Sequence, residues 1–289
     1  MTTKKRAGKS SRKKSTRAAM SIATNEDRVP KDRVTAFAES PLAICATDEN
    51  LQATLAVVRN QEEPVEVRLA AMDSLAAAAF SVIAFAPCRS DYIATLREVA
   101  TDPNAQIRET ALSALAAEKD GFAQKKLLEG LKKADKALVP PEKALQLLGY
   151  DPHAESYSVA RDIVDNPPSP SAKQEALRLL AADAGSAPFF EKVLRDKDEM
   201  RENRQIAASA LNSLNPDKFQ THAREMLLDK KEYEDIQATS LTALQQFGDE
   251  ETVAKDSALL KSVDRLSSKA KSAKYKKSAR QFLTQYRKG

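Results

Sequence analysis

Tryptophan is absent from this sequence, aromatic residues make up only 5% of it, and glycine occurs seven times. Sheets draw on aromatic and β-branched residues and strand turns draw on glycine, so these scarcities point away from a β architecture. Ala, Leu, Lys and Glu are plentiful instead, which is a helix-forming composition. Apolar residues at 42% and charged residues at 30% allow a sizeable core and argue against general disorder. Only two cysteines are present, Cys45 and Cys88, in apolar surroundings and without Cys-x-x-Cys spacing. Buried free thiols in a reducing compartment are the expectation, with a disulfide as the alternative. Long hydrophobic runs are also missing. The longest, "LAAAAFSVIAFAPC" at 75–88, is shorter than the roughly 20 residues of a bilayer span and reads as a buried helix of a soluble protein. No apolar segment follows the basic N-terminus, so no secretory leader is expected. A cytoplasmic protein with no membrane partner is the reading these absences support.

Catalytic signatures are equally scarce. The two histidines, His153 and His222, lie 69 residues apart. His222 and Glu225 share a helix face at i, i+3, but no third ligand is near in sequence, so a surface histidine is expected rather than a metal site. His153 follows Asp151-Pro152 and reads as polar filler of a first helical turn. Gly-rich phosphate loops and Gly-x-Ser-x-Gly are missing, and two isolated histidines do not make a triad. No catalytic, cofactor or metal residue is therefore assigned, and the chain is expected not to be an enzyme.

Charge is present in quantity but unevenly spread. The formal net charge is +5, yet residues 1–17 hold eight basic residues and no acid, and residues 261–289 hold ten basic residues against Asp264 alone. The segment between them is acidic. The N-terminal stretch is expected to be disordered to about residue 25. Its cations, Lys4, Lys5, Arg6, Lys9, Arg12, Lys13, Lys14 and Arg17, suit salt-sensitive contact with nucleic acid or another polyanion, a nuclear address in a eukaryotic host, or plain solubility. No aromatic residue is interleaved to stack bases. The C-terminal segment keeps a helical stripe, Tyr275, Ala279, Phe282 and Tyr286, which suits a capping element. Lys269, Lys271, Lys274, Lys276, Lys277 and Arg280 surround that stripe, as the solvated face of a cap or as a second polyanion surface.

What the sequence has in abundance is self-similarity. The triplet Ala111, Leu112, Leu115 recurs as Ala71, Met72, Leu75; as Ala144, Leu145, Leu148; as Ala176, Leu177, Leu180; as Ala210, Leu211, Leu214; and as Ser240, Leu241, Leu244. Ala279, Arg280 and Leu283 form a weaker last copy. Successive anchors lie 40, 33, 32, 34, 30 and 39 residues apart. Ile107, Ala111 and Leu115 occupy one helix face, and Leu112 widens it so that the helix can touch two neighbours. A second amphipathic stretch, such as "FAQKKLLEGLKK" at 122–133, precedes these segments. Asp102-Pro103, Ser169-Pro170, Asp151-Pro152 and Asn215-Pro216 each offer an N-cap followed by proline at the first helical position. Hairpins of this size cannot bury their apolar stripes alone and must stack.

The segments "VRLAAMDSLA" (67–76) and "IRETALSALA" (107–116), with the turn at Asp102-Pro103, resemble the HEAT-repeat family, in particular its short phycobilisome-lyase-type repeats. The resemblance implies an all-α fold, an α-solenoid forming a right-handed superhelix of about six to seven hairpins and related to armadillo-like helical arrays. It would span residues 26–289, with 261–289 as the basic cap. It also implies that a basic residue of each second helix pairs with a turn aspartate of an adjacent repeat. Arg68, Arg108 and Lys173 hold that position, with Asp102 as a turn acid; Pro141, Ala207 and Gln237 break the series. The functional expectation is a non-enzymatic scaffold or adaptor for a protein partner. The alternative is polyanion association through the basic ends, and family analogy alone adds a lyase or modifying factor.

Overall fold

A computed structural model of the chain describes residues 18–287. All the regular structure among them is helical, and the chain divides between Asp151 and Pro152 into two compact units.

Unit 1 opens with a short helix, α1 (18–23), paired with α2 (Pro30–Glu39). It continues through α3 (Pro41–Ile44), the hairpin α4 (Asp48–Arg59) and α5 (Val65–Ala79), and α6 (Val82–Phe85). Two more hairpins follow: α7 (Arg89–Val99) with α8 (Ala105–Ala117), and α9 (Gly121–Lys132) with α10 (Pro141–Leu148). Unit 2 holds α11 (Ala154–Asp165) with α12 (Pro170–Leu180), α13 (Ala187–Arg195) with α14 (Arg201–Leu214), and α15 (Pro216–Leu228) with α16 (Glu234–Phe247). The short α17 (Glu250–Lys255) leads to the last hairpin, α18 (Ser257–Lys269) with α19 (Ala273–Tyr286).

Within each unit the second helix of a hairpin packs on the second helix of the next, α2 on α5 on α8 on α10, and α12 on α14 on α16 on α19. This is the HEAT-like stacking expected from the sequence. Ala71, Met72 and Leu75, Ala111, Leu112 and Leu115, and Ala176, Leu177 and Leu180 are all buried. An alanine at the crossing lets backbones approach while the flanking leucines fill the layers on either side. The terminal stripe Tyr275, Ala279, Phe282 and Tyr286 is buried as well, and the Tyr286 hydroxyl donates to the Leu244 carbonyl at 2.8 Å.

Several expectations need correction. The basic tail 1–17 lies outside the described residues, but order begins earlier than residue 25. Met20 and Ala23 of α1 are buried, and the Arg33 side chain bonds the Ala23 carbonyl. Cys45 and Cys88 are joined as a disulfide rather than free, with Cα atoms 6.3 Å apart. The bond ties the end of α3 to the turn between α6 and α7, a long-range pairing that a separation of 43 residues conceals. The apolar run at 75–88 is not wholly buried: Phe80 is 89% and Ile83 92% exposed. A sharp break at Ser81 ends the helix face that points inward. Among the described residues no single helix is long and apolar enough to cross a membrane; 65–79 with 82–99 passes that test only as a pair bent by 119°.

Helix starts are also adjusted. Ser169 and Asn215 cap α12 and α15 ahead of Pro170 and Pro216, as expected. Asn104 and His153, not Asp102 and Asp151, stand at the caps of α8 and α11. Asp102 instead accepts from the Asn104 N–H at 2.8 Å and pairs with Arg68 at 2.5 Å.

Candidate functional site

The most regular side-chain chemistry in the molecule is a series of buried arginines. Arg33, Arg68 and Arg204 each have about 2% exposure, unusual for a side chain that carries a permanent charge. Each sits in the first turn or so of a second helix. Each directs Nε to a carbonyl ten residues back: Arg33 to Ala23 at 3.1 Å, Arg68 to Val58 at 3.0 Å and Arg204 to Leu194 at 2.9 Å. Those carbonyls lie at the ends of α1, α4 and α13, where four backbone acceptors lack helical partners and the helix dipole is negative. The remaining guanidinium nitrogens reach an acid in the turn of the next hairpin. Arg33 holds Glu63 through two bonds of 2.6 Å, Arg68 holds Asp102 at 2.5 Å, and Arg204 holds Glu232 at 2.8 and 2.6 Å. One planar fork thus closes a helix end and ties successive hairpins.

The expected positions follow this rule unevenly. Arg68 and Asp102 pair as expected. Lys173 pairs at 2.5 Å, with Glu199 rather than an aspartate. Arg108 does not reach a turn acid: its Nε donates to the Leu138 carbonyl at 2.6 Å and its Nη1 to the Asp102 carbonyl at 2.7 Å. The turn it faces offers a backbone oxygen where its predecessors offer a carboxylate. The series is not broken at the fifth copy. Arg204 stands three residues before the buried Ala207, the same offset as Arg68 to Ala71, so the true triplet is Ala207, Ala208, Leu211. Leu214, placed in the triplet by sequence, is only half-buried. Arg33, with Ala36 and Phe37, forms an earlier copy that the triplet search missed. Gln237 substitutes an amide for the guanidinium and donates to the Met226 and Asp229 carbonyls at 3.3 and 2.9 Å.

At the far end of unit 2 this series gives way to an open cavity of about 500 Å³. Its walls carry Arg201, Lys230, Arg265, Lys269 and Lys271 against two carboxylates, Glu232 and Glu234, with Tyr233, Gln237, Leu266 and Ala270 between them. Both carboxylates are committed. Glu232 accepts from Arg204, from Lys197 at 2.5 Å and from the Tyr233 N–H at 3.0 Å. Burial alone would raise its carboxyl, but the hydrogen bonds from Arg204 and Lys197 outweigh that and hold it below the usual carboxylate range. Glu234 accepts from the Lys271 and Ser272 N–H groups at 2.6 and 3.3 Å. The cations are less committed. Arg201 pairs with Asp235 at 2.9 Å, while Arg265 donates to the Ser262 hydroxyl at 3.5 Å and makes no ion pair among the described residues. Among the described residues Lys230, Lys269 and Lys271 have no carboxylate within ion-pair distance, and all three are exposed. Close by, the buried Tyr275 hydroxyl has no hydrogen-bond partner; burial first, and then the charge of Glu234, push its pKa up.

Of the basic residues anticipated from sequence, Lys269 and Lys271 line this cavity. Lys274, Lys277 and Arg280 are exposed on α19, with Lys276 half-buried. Lys4, Lys5, Arg6, Lys9, Arg12, Lys13, Lys14 and Arg17 lie outside the described residues. Arg201, Lys230 and Arg265 were missed, because nothing in sequence brings three different hairpins to one rim. His222 is not a surface residue: it is 4% exposed, with Nε2 2.9 Å from Glu191 Oε1 and Nδ1 3.7 Å from Glu225.

No protein-family model matches the sequence, and no curated protein matches it. Solved structures that resemble it include the complex of CpcE and CpcF of phycocyanin lyase from Nostoc sp. PCC7120. That likeness has 16% identity over 86% of this chain and 92% of that one, with a TM-score of 0.42. Human deoxyhypusine hydroxylase in complex with glycerol is similar at 15% identity, over 86% of this chain and 99% of that one, with a TM-score of 0.35. The expectation that the chain is not an enzyme is corrected here. What overturns it is that the solved structures the chain resembles are a phycocyanin lyase complex and a deoxyhypusine hydroxylase. The likeness is one of fold: stacked, HEAT-like helix hairpins.

Proposed function

We propose that the chain is a scaffold or adaptor that binds a protein partner. The observation that carries this reading is the apolar knuckle between α5 and α7. Phe80, Val82 and Ile83 are exposed in a chain whose other large apolar residues are mostly buried, and Leu42 is exposed on α3, which the Cys45–Cys88 bond tethers to this segment. Exposed large apolar side chains gathered in one short segment are a mark of interaction sites, and an aromatic anchor with aliphatic ones is the composition of a binding hot spot. A shallow groove of about 360 Å³ between α12 and α14, lined by Ala181, Ile206, Ser209 and Ala210 among others, adds a surface on which small side chains admit close approach.

A photo-crosslinking residue placed at Phe80, and separately at Ile83, tests this in an extract of the host. The expected result is one protein adduct common to both positions, lost from the Ile83 crosslinker when Phe80→Asp/Leu42→Asp is added and absent when the crosslinker replaces exposed Lys231. Equal, unspecific labelling from all three positions refutes the reading. A second reading, association with an anionic ligand, is supported by the five-cation cavity of unit 2. The cavity does not favour nucleic-acid bases as ligand. Its one aromatic ring, Tyr233, already has the Arg201 and Arg204 guanidinium groups over it, at 5.4 and 5.9 Å from its centroid.

A further inference from the structure

The turn joining the two helices of a hairpin carries an acid at four places: Glu63, Asp102, Glu199 and Glu232. Each receives a basic residue from the second helix of the preceding hairpin. The turn of the last hairpin, between α18 and α19, reverses this pattern. It carries Lys271 where an acid is due, with Lys269 just before it, and the facing position on α16 is the neutral Gln237. Both members of the ion pair are therefore replaced at one junction. The result is a cavity rather than a closed contact. Lys230 from the preceding turn, Arg201 from α14 and Arg265 from α18 complete its rim.

Like charges gathered on one concave surface repel one another, and among the described residues Lys230, Lys269 and Lys271 make no ion pair. A cap that needed only solubility would spread its lysines over the outer face, as α19 does with Lys274 and Lys277. Lys230, Arg265, Lys269 and Lys271, which make no ion pair among the described residues, outnumber Glu234, the one lining carboxylate not already held by Arg204 and Lys197; a phosphate monoester carries about −1.5 to −2 at neutral pH and three strong acceptor oxygens. Lysines supply mobile point charges to such a group, and Arg265 supplies a planar fork. A volume of about 500 Å³ falls within the roughly 300–1,000 Å³ range of small-ligand sites. We propose that this cavity binds a phosphate monoester group, borne either by a phosphorylated side chain or by a small phosphorylated molecule. The proposal rests on the anionic-ligand reading above and is independent of the protein-partner reading at Phe80.

The test uses the full-length protein and fluorescence anisotropy of a labelled Gly/Ser peptide containing one phosphoserine. Matched peptides carry serine or glutamate at that position, and a labelled random-sequence DNA strand serves as the polyelectrolyte control. The expected result is binding of the phosphoserine peptide at least tenfold tighter than of the glutamate peptide. Lys269→Ala/Lys271→Ala should weaken it at least tenfold, and Lys274→Ala/Lys277→Ala, which removes the same charge from outside the cavity, by less than twofold. All four lysines are exposed or at the surface, and circular dichroism checks that both variants keep their helix content. Glycerol 3-phosphate competing at concentrations near the peptide's own Kd would support a small-molecule source. Failure to compete, with peptide binding intact, would support a phosphorylated chain. The proposal is overturned if the phosphoserine peptide binds no better than its glutamate counterpart, or if both double variants weaken it equally. It is also overturned if only DNA binds, a result that would leave the general anionic-ligand reading standing.

Discussion

Replacing Arg33 or Arg204 by methionine tests whether the buried arginines hold the hairpins together. Methionine keeps most of the volume and removes the charge. In the Arg33→Met protein, the Glu63 carboxylate, 2% exposed, loses both of its 2.6 Å bonds, and the Ala23 carbonyl at the end of α1 loses its donor. Breaking a buried ion pair from one side costs about 3–5 kcal/mol, because the partner stays buried and uncompensated. Arg33→Met should therefore lie near the upper end, at about 4–5 kcal/mol. Arg204→Met should cost less, about 3 kcal/mol by the same rule. Glu232 keeps Lys197 at 2.5 Å and the Tyr233 N–H at 3.0 Å after the arginine has gone. The double variant Arg33→Met/Glu63→Leu buries no orphan charge and should recover most of the loss. Urea unfolding followed by circular dichroism, with the m-value checked for a change of unfolding unit, measures all three. The reasoning is refuted if Arg33→Met costs less than Arg204→Met, or if the Arg33/Glu63 double variant is as unstable as the sum of its single changes.

Three further outcomes follow from the same coordinates. The Cys45–Cys88 bond closes a loop spanning 43 residues, for which chain entropy gives about 4 kcal/mol of stabilisation. Oxidised protein should show no thiol reactive towards Ellman's reagent after denaturation and should lose stability on reduction; two reactive thiols in the untreated protein would refute the pairing. A Cβ on Gly130 would meet the Ala137 Cα at 2.9 Å, backbone that cannot swing aside, so Gly130→Ala should destabilise unit 1 by about 1–3 kcal/mol. A thermal melt unchanged to within a degree would contradict that. Asp229, Asp256 and Glu232 of unit 2 are held below their ordinary pKa values, Asp229 and Asp256 chiefly by the hydrogen bonds from Lys197 and Arg224. Such groups stabilise the fold fully above pH 4.5, and the contribution is lost as pH falls through their lower folded values, because the unfolded chain binds the protons first. The urea midpoint should therefore drop with falling pH below about 4.5; a midpoint that rises there would show the sign to be wrong.

The repeat was legible because its signal is apolar and local. Ala111, Leu112 and Leu115 are identical in role to Ala176, Leu177 and Leu180, and all six are buried. The same signal failed at α14 for a physical reason. Ala207, Ala208 and Ala210 precede Leu211 and Leu214, and sliding an apolar pattern by three residues, nearly one turn, leaves it on almost the same face. Hydrophobic periodicity fixes the face and not the height along the axis. Only Arg204 marks the height, and a charged residue at a core position looks like a departure until its partner Glu232 is known. The Cys45–Cys88 pairing, the exposure of Phe80 and Ile83, and the rim drawn from α14, α16 and α18 are likewise properties of packing between segments distant in sequence.

The arginine rule explains why the candidate site belongs where the structure puts it. In Arg33, Arg68 and Arg204 one side chain satisfies the open carbonyl of a helix end and neutralises an acid from the next hairpin, so each junction closes only when the next hairpin is present. Position by position, Lys276 of α19 corresponds to these arginines, three residues before the buried Ala279. Lys276 is half-buried and makes no ion pair among the described residues. One junction earlier the rule is suspended from both sides, by Gln237 and by Lys271. A junction that only had to stack could have kept an arginine and an acid, as the Arg33–Glu63, Arg68–Asp102 and Arg204–Glu232 junctions do. Exchanging both for an amide and a lysine gives up a buried ion pair whose net contribution to stability is small, and leaves in its place a cavity whose charge is unspent.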